Sequence, residues 1–280
     1  MAREMNVDIR KVKGSGPGNR ISSEDIRKYA EEPEEEKPAA KALPDFSKWG
    51  SISREPMSNI RKITADNLSE AWQTIPHVTQ FDEADMTGLE EFRKKNQARV
   101  EKEGGKLTVT AILLKIAVFA LQKFPRFKAS IDMKNKEIVY KHYYHIGVAV
   151  DTPRGLLVPV VRDVNKKSLT ELSVELNELA GKARDKKISN EEMSGGSFTV
   201  SNLGGIGGTG FTPVVYPPQV AILGVSRSLY RQVYKDDEFK KRLILPLSVS
   251  YDHRIIDGAD GARFLRWMCN VIEDPYAILH

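Results

Sequence analysis

Leu245-Pro-Leu247-Ser-Val249-Ser-Tyr251-Asp-His253-Arg-Ile-Ile-Asp257-Gly258 is the stretch from which the fold can be read. Apolar residues at every second position predict a half-buried strand. The strand ends in a histidine, and a carboxylate and a glycine follow within one tight turn. A helix is expected next, over Ala259 to Val271, with Gly258 letting the backbone turn sharply into it. Imidazole titrates near neutrality, which makes His253 a candidate general base. A histidine that merely closes a strand accounts for the same residues, so the choice depends on the rest of the chain.

Outward from this stretch the 280 residues exceed one average domain and separate into three zones. Residues 1–30 form a very small module, with apolar Met5, Val7, Ile9, Val12, Ile21, Ile26 and Tyr29 around the loop Gly14-Ser-Gly-Pro-Gly18. Ser22-Ser-Glu-Asp25 has the form of a capping box opening a short helix, with aspartate in the place of glutamate. Residues 31–45, acidic and bearing prolines, read as a solvated linker. Residues 46–280 read as one continuous domain of mixed helices and strands. Helices are expected over Ser58 to Gln73, Leu89 to Glu103 and Leu107 to Phe124, and from the capping box Ser168–Glu171 through Ala183. Ser189 to Glu192 is a further capping box. Thr152-Pro-Arg-Gly155 is a turn between strands, and Phe198 to Ser201 and Val220 to Val225 are further strands. The pattern is an α+β or mixed α/β sandwich without the regular beat of a doubly wound fold.

Several function classes fall away. The net charge of +5 is modest, and +3 of it lies in residues 1–30, which suits an acidic protein partner. No basic stripe with interleaved aromatics predicts nucleic-acid binding. The apolar run Leu107 to Leu121 contains Lys115 and is too short to span a membrane. No signal or transit peptide is read at the start. One cysteine, Cys269, excludes an internal disulfide, and the five histidines show no zinc-type spacing. Gly205-Ile-Gly207-Gly-Thr-Gly210 satisfies the dinucleotide fingerprint in letters only: Pro213, Pro217 and Pro218 follow where a helix would have to begin.

Three long motifs then fall in a definite order: Gly195-Gly-Ser-Phe-Thr-Val-Ser201-Asn202-Leu-Gly-Gly, Pro217-Pro-Gln-Val-Ala-Ile-Leu-Gly-Val, and Asp252-His-Arg-Ile-Ile-Asp-Gly-Ala-Asp-Gly-Ala-Arg-Phe. Together they resemble the acyltransferase core of the 2-oxo acid dehydrogenase complexes, over about residues 46–280. Ile75-Pro-His-Val-Thr-Gln-Phe-Asp and Leu203-Gly-Gly-Ile-Gly-Gly-Thr are of the kind found in pyruvate dehydrogenase complexes. Val12-Lys-Gly-Ser-Gly-Pro-Gly-Asn-Arg-Ile-Ser-Ser-Glu-Asp-Ile is similar to the peripheral subunit-binding domain of the same proteins, its first half-helix reduced to Ala2-Arg3-Glu4.

The resemblance implies a chloramphenicol-acetyltransferase-like fold, a homotrimer, and trimers built into a hollow cage. It implies transfer of an acetyl group between S-acetyl-dihydrolipoamide and coenzyme A, in a bacterial cytoplasm or a mitochondrial matrix. His253 is then the base, and the Ser201 hydroxyl a donor to the oxyanion. Asp257 supports the histidine through an ion pair for which Arg61 is a candidate partner, and Asn202 and Gly258 assist. The histidine and serine of one site come from different subunits. The C-terminus, with Ile278 and Leu279 ahead of His280, inserts into a neighbouring trimer. The N-terminal module holds the pyruvate dehydrogenase and dihydrolipoyl dehydrogenase components. No Asp-Lys-Ala lipoyl triplet occurs, so the chain reads as a fragment without its acyl carrier. Three alternatives stay open: succinyl or branched-chain acyl groups, a silent scaffold, and a covalent route through Cys269, which a buried helix position disfavours.

Overall fold

The computed structural model describes residues 12–16, 18, 20–31, 42–153 and 155–276. The chain divides after Pro56 into two units, Met1–Pro56 and Met57–His280.

In the first unit, helix α1 (Ser23–Glu31) is entered through the expected cap. The Ser22 hydroxyl accepts the Asp25 amide at 3.2 Å, and the Asp25 carboxylate accepts the Ser22 amide at 2.8 Å. The same carboxylate accepts the Ser15 amide at 3.1 Å, which ties the glycine loop to the helix. Hydrogen bonds from Ser15 and then Ser22 hold this carboxyl well below the usual carboxylate range. Val12 and Ile26 are buried, whereas Ile21 is exposed. Met5, Val7 and Ile9 lie outside the described residues.

The second unit runs α2 (Asn59–Thr74), β1 (His77–Asp85), α3 (Thr87–Lys102) and α4 (Val109–Lys123). Short strands β2 (Ser130–Asp132), β3 (Glu137–Val139), β4 (Ile146–Val148), β5 (Val150–Thr152), β6 (Gly155–Leu157) and β7 (Val160–Val161) follow. Then come α5 (Leu169–Arg184), β8 (Phe198–Asn202), β9 (Ala221–Val225), β10 (Leu229–Lys235), β11 (Glu238–Asp252) and α6 (Gly258–Glu273). Among the described residues the main sheet has the order β1-β11-β9-β8-β4-β7, with β10 also paired to β11. It is mixed: β4, β8 and β9 are parallel neighbours, and β1, β10 and β9 run antiparallel to β11. The expected α+β or mixed α/β class is found, and among the described residues the strand order is not that of a doubly wound sheet.

Local chemistry explains the helices. Ser58 caps α2, Thr108 caps α4, and Ser168 with Glu171 forms a reciprocal box on α5. Pro76 and Pro125 lie just past the ends of α2 and α4. Helix α4 is the centre of the core, with Leu113, Leu114 and Leu121 fully buried, each contributing about 2 kcal/mol by burial. Ser189 and Glu192 also exchange their bonds, yet they open only a single 3-10 turn, Glu191–Met193.

Strand β11 corrects one expectation. Leu245, Leu247, Val249 and Tyr251 are buried as the alternation requires, but Ser248, Ser250 and Asp252 on the opposite face are buried as well. The glycine–proline segment before β9 covers that face. The Phe211 ring lies over Gly224, and Val215 packs with Ile75 and Ile222 in a small second cluster. Helix α2 departs in the other direction. Its spacing is helical, but Ile63 and Trp72 are 60% and 68% exposed, so its apolar face is left open in the single chain.

Candidate active site

His253 stands just past the end of β11, exposed. Its backbone is held tightly. Its amide donates to the Pro76 carbonyl at 3.1 Å, and the preceding Asp252 amide donates to the Val220 carbonyl at 2.9 Å. The residues on either side of it are joined to each other: Arg254 binds Asp252 through both guanidinium nitrogens Nε and Nη2, the latter at 2.6 Å. Asp252 is 1% exposed, so this is a charge-assisted pair on a buried carboxylate. The Asp252 carbonyl also accepts the amides of Ile255 and Ile256, which closes the turn. The result is a fixed backbone that leaves the imidazole in solvent, its centroid 6.1 Å from that of Tyr251.

Asp257 is the N-cap residue of α6, and its carbonyl accepts the Gly261 amide at 2.9 Å. Its carboxylate makes no capping bond and is exposed. No ion pair joins it to Arg61 among the described residues. Arg61 sits exposed in the first turn of α2, its amide bonded to the Ser58 hydroxyl. The cation that Asp257 does influence is Arg126, which is held above its ordinary pKa by Tyr140 first and by Asp260 and Asp257 after it. Gly258 is not needed for backbone freedom. It has no positive φ, and a Cβ there would meet nothing closer than the Tyr251 Oη at 3.9 Å. The required glycine is one turn on: a Cβ at Gly261 would lie 2.5 Å from the buried Tyr251 ring.

Ser201 lies near the end of β8, 8% exposed, and its hydroxyl has no hydrogen-bond partner among the described residues. Asn202 is committed elsewhere. Its amide nitrogen donates to Thr110 Oγ1 at 2.9 Å, and its oxygen accepts the Gly204 amide at 2.8 Å, fastening the turn after β8 to the start of α4. Beside it opens a cleft lined by Thr108, Thr110, Ala149, Asn202, Gly204 and Ser226.

The register fixes how far apart these groups stand. Ser201 is opposite Gly224, and Gly224 is opposite Ser248, so Ser201 and His253 are separated by one strand and by five residues along β11. That is about 10 Å across and roughly 17 Å along the sheet. Within one chain the hydroxyl and the imidazole do not meet. Cys269 is fully buried in α6, and burial pushes its thiol up to about 12.

The sequence reading missed the Asp252–Arg254 pair, although the Asp-His-Arg triplet carried the signal. It also missed Arg126, which nothing in the local sequence connects to Asp257.

Comparison with known proteins agrees with this architecture. Residues 50–280 match the family described as 2-oxoacid dehydrogenases acyltransferase (catalytic domain), and residues 1–27 match the e3 binding domain. The dihydrolipoyllysine-residue acetyltransferase component of the pyruvate dehydrogenase complex of Pseudomonas aeruginosa is 45% identical, over 100% of this chain and 53% of its own length. That of Haemophilus influenzae is 47% identical, over 98% and 52%. The chain thus spans about half the length of the curated relatives it matches. A structure of the Azotobacter vinelandii dihydrolipoamide acetyltransferase has a TM-score of 0.83 and 49% identity, covering 85% of this chain and 98% of that one. The serine, histidine and asparagine named for a role in that enzyme's catalytic mechanism have the histidine 52 positions after the serine and the asparagine four after the histidine. The cubic core of a pyruvate dehydrogenase multienzyme complex superimposes with the same TM-score at 48% identity, again over 85% and 98% of the two chains. By the match over residues 50–280, this chain belongs to the 2-oxoacid dehydrogenase acyltransferase family.

Proposed function

We propose that the chain transfers an acetyl group between S-acetyl-dihydrolipoamide and coenzyme A, as the core of a pyruvate dehydrogenase complex. The observation that carries this reading is the unpartnered Ser201 hydroxyl and the exposed His253 imidazole on one sheet. Ser201, His253 and Asp257 are spaced by the same 52 and four positions as the serine, histidine and asparagine of the Azotobacter enzyme. Here a carboxylate stands where that enzyme has an amide.

The chemistry follows from the two groups. A free thiol has a pKa of about 8.5 and is only slightly ionised at neutrality, so a base that removes its proton is worth roughly 10²–10⁴-fold. His253 takes the proton from the coenzyme A sulfur, and the thiolate attacks the thioester carbonyl carbon. The carbonyl electron pair moves onto oxygen, and Ser201 donates a hydrogen bond to that oxyanion. Collapse breaks the bond from carbon to the dihydrolipoamide sulfur, which leaves with the proton held by the imidazolium. Asp257, four residues on, takes no proton in this reading and supports the geometry of the histidine.

Because Ser201 and His253 lie far apart in one chain, the site in this reading is built between two copies, each lending one group. A trimer satisfies this with three equal interfaces. The open apolar face of α2, with Ile63 and Trp72, is consistent with cover by another copy. The C-terminal Ile278 and Leu279 lie outside the described residues; their proposed place is a pocket on a neighbouring trimer. The N-terminal module, whose residues 1–27 match the e3 binding domain, is proposed to hold the dihydrolipoyl dehydrogenase and pyruvate dehydrogenase components. The bacterial relatives favour a cytoplasmic setting.

The test is coenzyme A acetylation from free S-acetyl-dihydrolipoamide, beside a succinyl donor and the His253→Ala variant. Acetyl transfer that exceeds succinyl transfer and disappears in the variant is expected. No transfer from either donor by an assembled protein would leave a scaffold as the better account.

A further inference from the structure

One titratable side chain next to the His253 turn has no part in the chemistry above. His77, at the start of β1, is half-buried and has both ring nitrogens engaged with backbone. Its Nδ1 lies 2.8 Å from the Ile75 carbonyl oxygen, which can only accept, so Nδ1 carries the proton. Its Nε2 accepts the Val215 amide at 2.9 Å. These two partners fix the neutral tautomer. The Trp72 indole stacks on the ring with centroids 5.3 Å apart and planes 27° apart.

The ring therefore ties three segments together: the end of α2 through Trp72, the link Ile75-Pro76, and the glycine–proline segment through Val215. Its position in the sheet gives this a consequence. His77 is directly opposite Asp252 in the register, and the Pro76 carbonyl, between the bonded Ile75 and His77, is the acceptor of the His253 amide. The Asp252 carboxylate on the other side of the pair is saturated by Arg254, so it does not compete for the His77 ring.

We propose that His77 is a positioning residue for His253, acting through the Ile75–Pro76 link that carries the acceptor of the His253 amide. This rests on His253 being the base. The bond from His77 to Ile75 sets the course of the link, and the bond from Val215 keeps the ring from turning away. A misplacement of the imidazole by a fraction of an ångström slows the proton transfer without weakening coenzyme A binding.

Three substitutions separate the bonds. His77→Phe keeps a ring beneath Trp72 and removes both hydrogen bonds. His77→Asn keeps a donor within reach of the Ile75 carbonyl, and His77→Gln reaches Val215 instead. In the assembled protein, His77→Phe is expected to lower kcat by about tenfold or more. Its KM for coenzyme A should stay within about twofold of the parent, and His77→Asn should recover most of the loss. An unchanged kcat in His77→Phe overturns the proposal. So does a loss shared by KM, or one that His77→Asn does not recover, because these are the marks of a merely structural residue. Should His77→Phe fail to assemble by light scattering, His77→Asn must exceed His77→Gln in kcat, and equality overturns it. His253→Ala in the same assay keeps the two readings apart: activity retained there refutes the base itself, whatever His77 does.

Discussion

Ser201, on β8, and His253, just past the end of β11, stand far apart within one chain, with Gly224 and five residues of β11 between them. This arrangement makes a prediction that no single-site mutation can make alone. Ser201→Ala and His253→Ala subunits, each inactive, should regain activity when unfolded and co-assembled. A site taking its histidine from one copy and its serine from the next is intact in about a quarter of random interfaces. Activity recovered to that order, read by coenzyme A acetylation, is the expected result. Mixtures as inactive as either parent would show that both groups must come from one chain.

Separately, the two variants should fail in the same kinetic parameter. His253→Ala is expected to lose at least about a hundredfold in turnover. Ser201→Ala is expected to lose about 10²–10³-fold, with little change in coenzyme A affinity. Sedimentation should show unchanged assemblies in both.

The thiol offers a test of the covalent alternative. Cys269 is fully buried and pushed up to about 12. It should resist thiol reagents at pH 8 in the native protein and react promptly in denaturant. Cys269→Ala should retain activity, and near-complete loss would restore the covalent route. Because folding raises this pKa, the protonated thiol's contribution to stability is complete below the ordinary cysteine value. It is lost as the pH climbs from there towards 12.

Gly261 is set by packing. A methyl group there would meet the Tyr251 ring at 2.5 Å, and that ring, fully buried, has nowhere to move. Gly261→Ala should cost about 1–3 kcal/mol, seen as a lower denaturant midpoint. Gly258→Ala, with open space around it, should not shift the midpoint measurably.

For the proposed cage contact, removal of residues 276–280 should leave trimers that no longer associate further. A full cage by light scattering after the deletion would reject the C-terminal contact.

Much of the frame was legible because the sequence carried local chemistry for it. The boxes at Ser22 and Ser168 and the turn at Thr152–Gly155 are written in local chemistry, and each is found where the sequence puts it. The β10–β11 hairpin escaped the reading. Its outer half is exposed, so Tyr230-Arg-Gln-Val-Tyr and Phe239-Lys-Lys-Arg show no period of two. The available signal was the two-residue turn Asp236-Asp237, both with positive φ, a tight hairpin conformation that aspartate tolerates. Likewise the apolar stripe of α2 was readable as a stripe, but a sequence does not state whether its own core or another copy covers it. For the site, the residue types were legible and their distances were not. Strand order decides that Ser201 and His253 are apart, and strand order is set by long-range pairing that no local pattern records.

The bare hydroxyl of Ser201 has a further consequence for the timing of the proposed reaction. Among the described residues no hydrogen bond has to be broken for it to meet a developing oxyanion. The sheet sets the donor's position once, as the chain folds. The reorganisation that solvent would undergo at every turnover is thereby moved into folding.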